Sequence, residues 1–400
     1  MNGNEVSSAH FYREENDINR LTTQVKFEHK FGEGKKIEFR NSFNFFNREL
    51  LVTPSFSLGK FRFAGDQVSS FLEIAFSHQK NKNVLIAGLN FYSDDFKENV
   101  LMNATPREEN YKTVGAFANY VFDLGEKISV ESGLRTDYVV DEKLYVLPRI
   151  SALFKWTEKL TTRIGGGLGY RNASMFNQEA EILGYRNVSA VDRNATKGEE
   201  SYGGNFDLGY KTPLGDNFFL IFNQMFFYTQ LKNPLVLEDK VFSFVFENAN
   251  GITRSYGAET FFKLGFYNFV CFVGYTYTNA QNRFNGRETV LPLTPQHSIK
   301  GDVLYALPNK WRIGFDYEFK SGQTLSNGKI TPSYWTTGAI VEYTHHIFTF
   351  FGNIENFSDV RQTNFGNLNS PPFNTPQLTE IWAPLDGFVF NAGLKIRLKD

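Results

Sequence analysis

Apolar and polar residues alternate along most of this chain with a period of two, the signature of a β-strand with two unlike faces. Trp311, Ile313, Phe315, Tyr317 and Phe319 share one face, while Arg312, Asp316, Glu318 and Lys320 take the other. Phe388, Phe390, Ala392, Leu394, Ile396 and Leu398 stand in the same way against Asn391, Gly393, Lys395, Arg397 and Lys399. Near the start, Leu21, Val25, Phe27 and Phe31 oppose Arg20, Gln24, Lys26, Glu28 and Lys30, and Ile37, Phe39, Phe43 and Phe45 oppose Lys36, Glu38, Arg40 and Asn44. These segments run roughly 11–14 residues, beyond the usual ~5–6 of a soluble strand and close to the ~9–11 that a tilted strand needs to cross a bilayer. A lipid-facing apolar side and a lumen-facing side carrying both signs of charge account for the pattern. Trp311, Tyr138 and Tyr305 fall near strand ends, where interfacial aromatics belong.

A soluble sandwich or propeller with one wet face also alternates, so the connections decide between the two. Short turns are expected at Gly32–Gly34, Lys80–Lys82, Leu124–Glu126, Thr157–Glu158, Pro213–Asp216, Gly265–Tyr267, Pro308–Asn309 and His345–His346. Between them lie long connections: Leu51–Gly65, Ser93–Glu109, Arg171–Glu199, Leu231–Ile252, Asn279–Pro295, Ser321–Ser333 and Asp359–Leu385, with Val139–Tyr145 of middling length. Tight periplasmic turns and long outer loops are a property of outer-membrane barrels. The expected fold is therefore all-β: a transmembrane antiparallel up-and-down β-barrel of about 17 strands, in a bacterial outer membrane. The last strand descends to the periplasm, so an odd count puts Met1–Asp17 on the outer side. Single-chain bacterial barrels have an even number of strands, so residues 1–400 are expected to form one N-terminally truncated barrel domain.

Composition changes the picture little. With 43 Phe, 19 Tyr and 4 Trp the chain is rich in aromatics, and its 42 Lys+Arg and 43 Asp+Glu leave no basic field for nucleic acid. Mean hydropathy is −0.35, which for a barrel is uninformative because only every second residue meets lipid. Apolar runs are far short of the ~18–20 residues of a membrane helix. Cys271 is the single cysteine, which excludes an internal disulfide framework. Met1 to Arg20 has no apolar core or cleavage site, so an export signal is expected upstream.

Several stretches resemble the barrel of TonB-dependent receptors: Leu147–Ser174 with its Pro-Arg opening and Gly-aromatic-Arg ending, Lys197–Tyr210, Asn248–Glu259, Leu291–Ser298, and Ile354–Arg361 with its Glu-Asn-apolar-x-Asp run. The five occur in the family's order over Leu147–Asp400. The resemblance implies a barrel of roughly 22 strands, of which about 17 are present here, and uptake of a scarce nutrient of the siderophore-iron, cobalamin or glycan class. It further implies contact with the TonB complex through an N-terminal plug that no stretch of this chain resembles. The expected partners are then outer-membrane lipid, a small nutrient ligand and the TonB complex. A passive pore or adhesin-like barrel without a plug is the competing reading.

Candidate chemistry is sparse. His345 and His346 are adjacent, so on a strand they point apart and chelate poorly. Gly165, Gly166 and Gly167 precede no helix, which argues against a phosphate loop and for close approach of another backbone. A Ser–His pair on the outer rim would mark a lipase, but none is localised enough to predict an enzyme. No cofactor or metal is called for. The mixed aromatic and polar outer loops are the better ligand candidates: Arg171, Phe176, Tyr185, Arg186, Asp192 and Arg193 in one, and Arg361, Phe365, Phe373 and Trp382 in another.

Overall fold

The computed structural model describes residues 13–53, 60–100, 105–370 and 377–397. Residues 1–12 of the expected outer start, Phe373, Leu398 and Lys399 lie outside the described residues. Seventeen long strands form one antiparallel sheet among the described residues, each paired with its neighbours in sequence. They are β1 (Arg13–Lys30), β2 (Lys35–Thr53), β3 (Phe61–Lys80), β4 (Asn83–Glu98), β5 (Glu108–Leu124), β6 (Ile128–Val139), β7 (Lys143–Lys155), β8 (Leu160–Arg171), β9 (Glu199–Pro213), β10 (Phe218–Lys232), β11 (Gly251–Phe266), β12 (Phe269–Phe284), β13 (His297–Leu307), β14 (Trp311–Lys320), β15 (Tyr334–His345), β16 (Phe348–Glu355) and β17 (Val389–Ile396). The short segment Arg287–Val290 extends the far end of β12. β1 pairs only with β2 and β17 only with β16, so the wall is not closed.

The register carries the alternation from strand to strand. Phe27 lies opposite Phe39, Phe39 opposite Ile74, and Ile74 opposite Leu89. At the other end Cys271 faces Val303, and the row continues through Phe315, Ala339, Ile354 and Phe390. Because a one-residue slip would swap the faces, this continuity gives one unbroken apolar surface. Phe27, Ile74, Leu89, Phe315 and Phe390 are all exposed on it, a contiguous apolar face far larger than a lone exposed side chain makes. Polar intruders satisfy themselves: Thr260 donates to Gln224 Oε1 at 2.6 Å, and Gln224 Nε2 donates to the carbonyls of Glu259 and Met225 at 3.1 and 3.2 Å.

Aromatics cluster at both ends of this surface. On the inner side Phe269 meets Tyr305 at 4.9 Å and Trp311 meets Tyr343 at 4.6 Å; on the outer side Tyr202 meets Tyr228 at 6.4 Å and Phe319 meets Trp335 at 4.9 Å. Trp311 and Phe319 are eight residues apart, about 26 Å along a strand and roughly 20 Å of bilayer once tilted, near the ~25 Å apolar band of such barrels.

All eight expected short turns occur, and the long connections all lie at the opposite ends of the strands. Three of the latter are shorter than expected because strands run on: β2 to Thr53 and β3 from Phe61, β4 to Glu98 and β5 from Glu108, and β12 to Phe284, where it pairs with Arg287–Val290. Gly166 pairs with Gly204, and a Cβ on Gly166 would lie 2.8 Å from the Gly203 carbonyl oxygen. Close backbone approach is therefore the role of these glycines.

Candidate functional site

The loop between β8 and β9 folds over the outer ends of β2 to β5. Its short helix α1 (Gln178–Ile182) starts where the Asn177 side chain accepts the Glu179 N–H at 3.2 Å. Beyond α1 the chain turns back with Tyr185 at a φ of 61°, and Tyr185 stacks on Phe63 at 4.3 Å. Leu50, Phe63, Phe96, Met175, Tyr185 and Phe246 form a closed apolar cluster here, each buried side chain worth about 1.5–3 kcal/mol. The hairpin Leu235–Asp239/Phe244–Asn248 packs beside it, with Ser189 N–H donating to the Phe244 carbonyl at 2.8 Å.

Charges fasten the rim of this cluster. Arg48 grips Glu181 through Nη2–Oε1 at 2.6 Å and Nη1–Oε2 at 3.0 Å. The Arg48 hydrogen bond holds the Glu181 carboxyl below the usual carboxylate range against the effect of burial. Burial pushes Glu179 up instead, although the Leu237 N–H favours its ionised form. Arg107 bonds Glu98 and donates to the carbonyls of Tyr185 and Val188 at 2.8 and 2.9 Å.

The candidates in this loop are therefore mostly engaged. Tyr185 is buried and donates to Glu181 at 2.6 Å. Arg171 pairs with the buried Glu199 at 2.6 Å. Arg193 donates to the carbonyls of Asn110 and Val140 at 2.7 and 3.2 Å and lies over the Tyr111 ring. Asp192 accepts the N–H groups of Asn194 and Ala195. Arg186 is exposed. Phe176 packs edge-on against Phe96 at 4.7 Å and, with Arg171, borders a cavity of about 160 Å³. The carboxylates of that cavity are already bonded: Asp94 by Gln67 and Tyr92, Glu109 by Ser174 and the Met175 N–H.

The second loop group leaves more room. Gln362 is buried at the start of the connection to β17; its Oε1 accepts the N–H of Trp382 at 2.9 Å and of Ala383 at 3.2 Å, while Nε2 donates to the Glu380 carbonyl at 2.8 Å. Gln323 Nε2 and the Tyr334 hydroxyl both donate to the Trp382 carbonyl, at 3.0 and 3.1 Å. Trp382 is thereby held between Tyr334 and Phe365, with ring centroids 5.9 and 5.2 Å away. Arg361 instead pairs with Asp359 at 2.7 Å, and the Phe388 N–H and this pair hold Asp359 below the usual range.

Beside Trp382 lies a cavity of about 490 Å³, lined among others by Gln178, Glu318, Lys320, Tyr334, Thr336 and Ile381. Gln178 belongs to α1, so both loop groups contribute to this cavity. The sequence candidates Trp382 and Phe365 come together here; Arg171, Phe176 and Tyr185 gather at the other cluster; Arg186 and Arg361 line neither cavity. Gln178, Glu318, Lys320 and Thr336 were not singled out from the sequence. The only signal was that Glu318, Lys320 and Thr336 fall on the wet face at outer strand ends.

Elsewhere the chemistry is thin. The rings of His345 and His346 lie edge-to-face at an inner turn, and no group of three or more His, Cys, Asp or Glu among the described residues is arranged to hold a metal ion. His297, at the outer end of β13, shares its Nδ1 with the Tyr275 hydroxyl at 2.8 Å, while Ser321 Oγ meets its backbone N–H and not its ring.

The profile of a family described as TonB dependent receptor-like, beta-barrel matches residues 2–357. No curated protein sequence matches the chain. Among solved structures it resembles the copper transporter OprC (13% identity, TM-score 0.74, 94% of this chain and 65% of that one). It also resembles a mutant of the ferric enterobactin receptor PfeA from Pseudomonas aeruginosa (12%, 0.73, 95% and 62%) and the siderophore receptor PirA from Acinetobacter baumannii (15%, 0.70, 95% and 62%). At these identities the likeness is one of fold. The chain spans less than two thirds of the length of each of these three structures.

Proposed function

Because this chain belongs to the TonB-dependent receptor-like β-barrel family, we propose that it forms most of the wall of an outer-membrane receptor that binds a scarce nutrient outside and passes it inward. The carrying observation is the continuous register, which keeps one apolar face and one wet face through seventeen strands and puts the long loops at one end. The unpaired edges of β1 and β17 support a wall completed by further strands. In this reading chain 1–400 is one barrel domain without the plug, and energy reaches the receptor from the TonB complex through a plug supplied by the rest of the protein. Lipid covers the outer face, and a small ligand meets the loops around Trp382. The chain acts in transport and not as an enzyme.

The test is expression of the complete reading frame in a Gram-negative host. The proposal expects the protein in the outer-membrane fraction and nutrient uptake that stops when TonB is deleted. Steady ion conductance of the purified protein in planar bilayers, with uptake indifferent to TonB, would establish a passive pore instead.

A further inference from the structure

Receptors that take up ferric chelates face ligands with net negative charge, and a site for such a ligand needs unneutralised cations. The outer mouth of this chain is rich in arginine, yet five of its arginines are engaged within the protein, and the exposed Arg186 does not line the cavity beside Trp382. Arg171 is held by Glu199, Arg361 by Asp359, Arg48 by Glu181 and Arg107 by Glu98. Arg193 is turned onto backbone carbonyls. None of the five lines the cavity beside Trp382.

That cavity has a different chemistry. Its one ammonium, Lys320, lies 3.6 Å from its one carboxylate, Glu318, which Lys300 of the wall also approaches at 4.0 Å, so no charged group of the lining is left unpaired. The remaining groups are two aromatic residues, Trp382 and Tyr334, with apolar side chains and neutral polar ones. Trp382 is half-buried with its backbone pinned on three sides. Gln178 is exposed on α1, and Thr336 is half-exposed on the wall. A rigid ring with hydroxyl and amide partners around it suits a molecule with one C–H face and hydroxyls at its edges. The volume of about 490 Å³ is within the ~300–1,000 Å³ of small-molecule sites.

Resting on the import reading above, we infer that the Trp382 cavity takes an uncharged polyhydroxylated ligand, a neutral oligosaccharide segment stacked on the indole, and not an anionic iron chelate. Gln178 and Thr336 hydrogen-bond its hydroxyls, and the Glu318–Lys320 pair supplies one acceptor and one donor at the floor. Because Gln178 comes from the loop over the opposite strands, ligand binding ties the two loop groups together.

The experiment uses the complete receptor, expressed from its whole reading frame and purified in detergent micelles, with tryptophan fluorescence and calorimetry as readouts. The probes are maltohexaose, cellohexaose and xylohexaose on one side and ferric tris(2,3-dihydroxybenzoate) on the other. The inference expects saturable binding of at least one hexasaccharide and none of the iron complex. Trp382→Ala weakens that binding by about tenfold or more, and Gln178→Ala, an exposed change on the other loop group that does not touch folding, by about threefold. Saturable binding of the iron complex that Trp382→Ala abolishes overturns the neutral ligand class and leaves the import reading standing. If neither probe class binds the complete receptor, with its barrel closed by the further strands and intact by heat-dependent gel mobility, while TonB-dependent uptake persists, the cavity is not the ligand site and the import reading stands without it.

Discussion

The two loop groups at the outer mouth look alike in sequence, each a mixture of arginine, aromatic and small polar residues, and they fold by opposite means. The segment between β8 and β9 is held by apolar packing: Tyr185, Met175 and Phe246 close with Leu50 and Phe63 into a cluster that leaves little space. The connections before β15 and after β16 are held by amides, Gln323 and Gln362, which fix the backbone around Trp382 and leave its ring beside an open cavity. Apolar packing is non-directional and collapses the chain onto itself, whereas hydrogen bonds fix geometry without filling volume. A composition rich in aromatics therefore does not separate a lid from a ligand site; what separates them is which groups do the holding.

The sharpest way to break this contrast is Phe63→Ala, which removes the ring on which Tyr185 stacks. A cavity of that size in a closed cluster costs about 3–5 kcal/mol. Amide hydrogen exchange should accelerate at Gly184 and Tyr185, whose N–H groups bond within the loop, while the Thr331 amide, bonded to Gln323, is unaffected. Acceleration in both regions together would show that they are one unit. Gln362→Leu is the reciprocal change. It strands the N–H groups of Trp382 and Ala383 and the Glu380 carbonyl, at about 2–3 kcal/mol in all. The expected result is a mobile Trp382, seen as lost fluorescence anisotropy, with the Gly184 and Tyr185 amides unchanged.

The smallest effect is at the Arg48–Glu181 pair. Arg48→Ala should cost about 0.5–1 kcal/mol, since Glu181 is nearly half exposed and water screens the pair. The folded-state pKa of Glu181 lies below its ordinary 4.5, so the fastening is fully present above about pH 4.5 and is lost as pH falls through the lower folded value. The protection of the Gly184 amide, with the intrinsic pH dependence of exchange divided out, should therefore fall on acidification in the native chain and lose that pH dependence in the Arg48→Ala variant.

Sequence alone carried the wall much further than the mouth. The Trp311–Lys320 and Lys36–Phe45 patterns give strands because each residue has one fate, lipid or water, set by parity. Parity fails where β2 and β4 leave the membrane. Leu50, Leu51 and Val52 are apolar in succession because a loop covers the side that water covers lower down. Asp95 and Lys97 carry on the parity of the apolar Leu89 and Phe91 but are polar because that side is wet there, while Phe96 on the other side is buried under the loop. Both stretches read as loop for that reason. The fates of Arg171 and Tyr185 were hidden because their partners are not local in the chain: Arg171 and Glu199 are 28 residues apart, and Arg107 and Tyr185 are 78. The glycines of β8 were legible because a missing side chain has few uses in a strand.

Everything in the account follows from the division of each strand into a lipid side and a water side. Cysteine scanning along β14 tests it directly, in a Cys271→Ser background, with the chain inserted in vesicles and a water-soluble maleimide as the label. Arg312→Cys, Asp316→Cys and Glu318→Cys should react, and Ile313→Cys, Phe315→Cys and Tyr317→Cys should not. Uniform labelling, or labelling that ignores parity, would contradict the account.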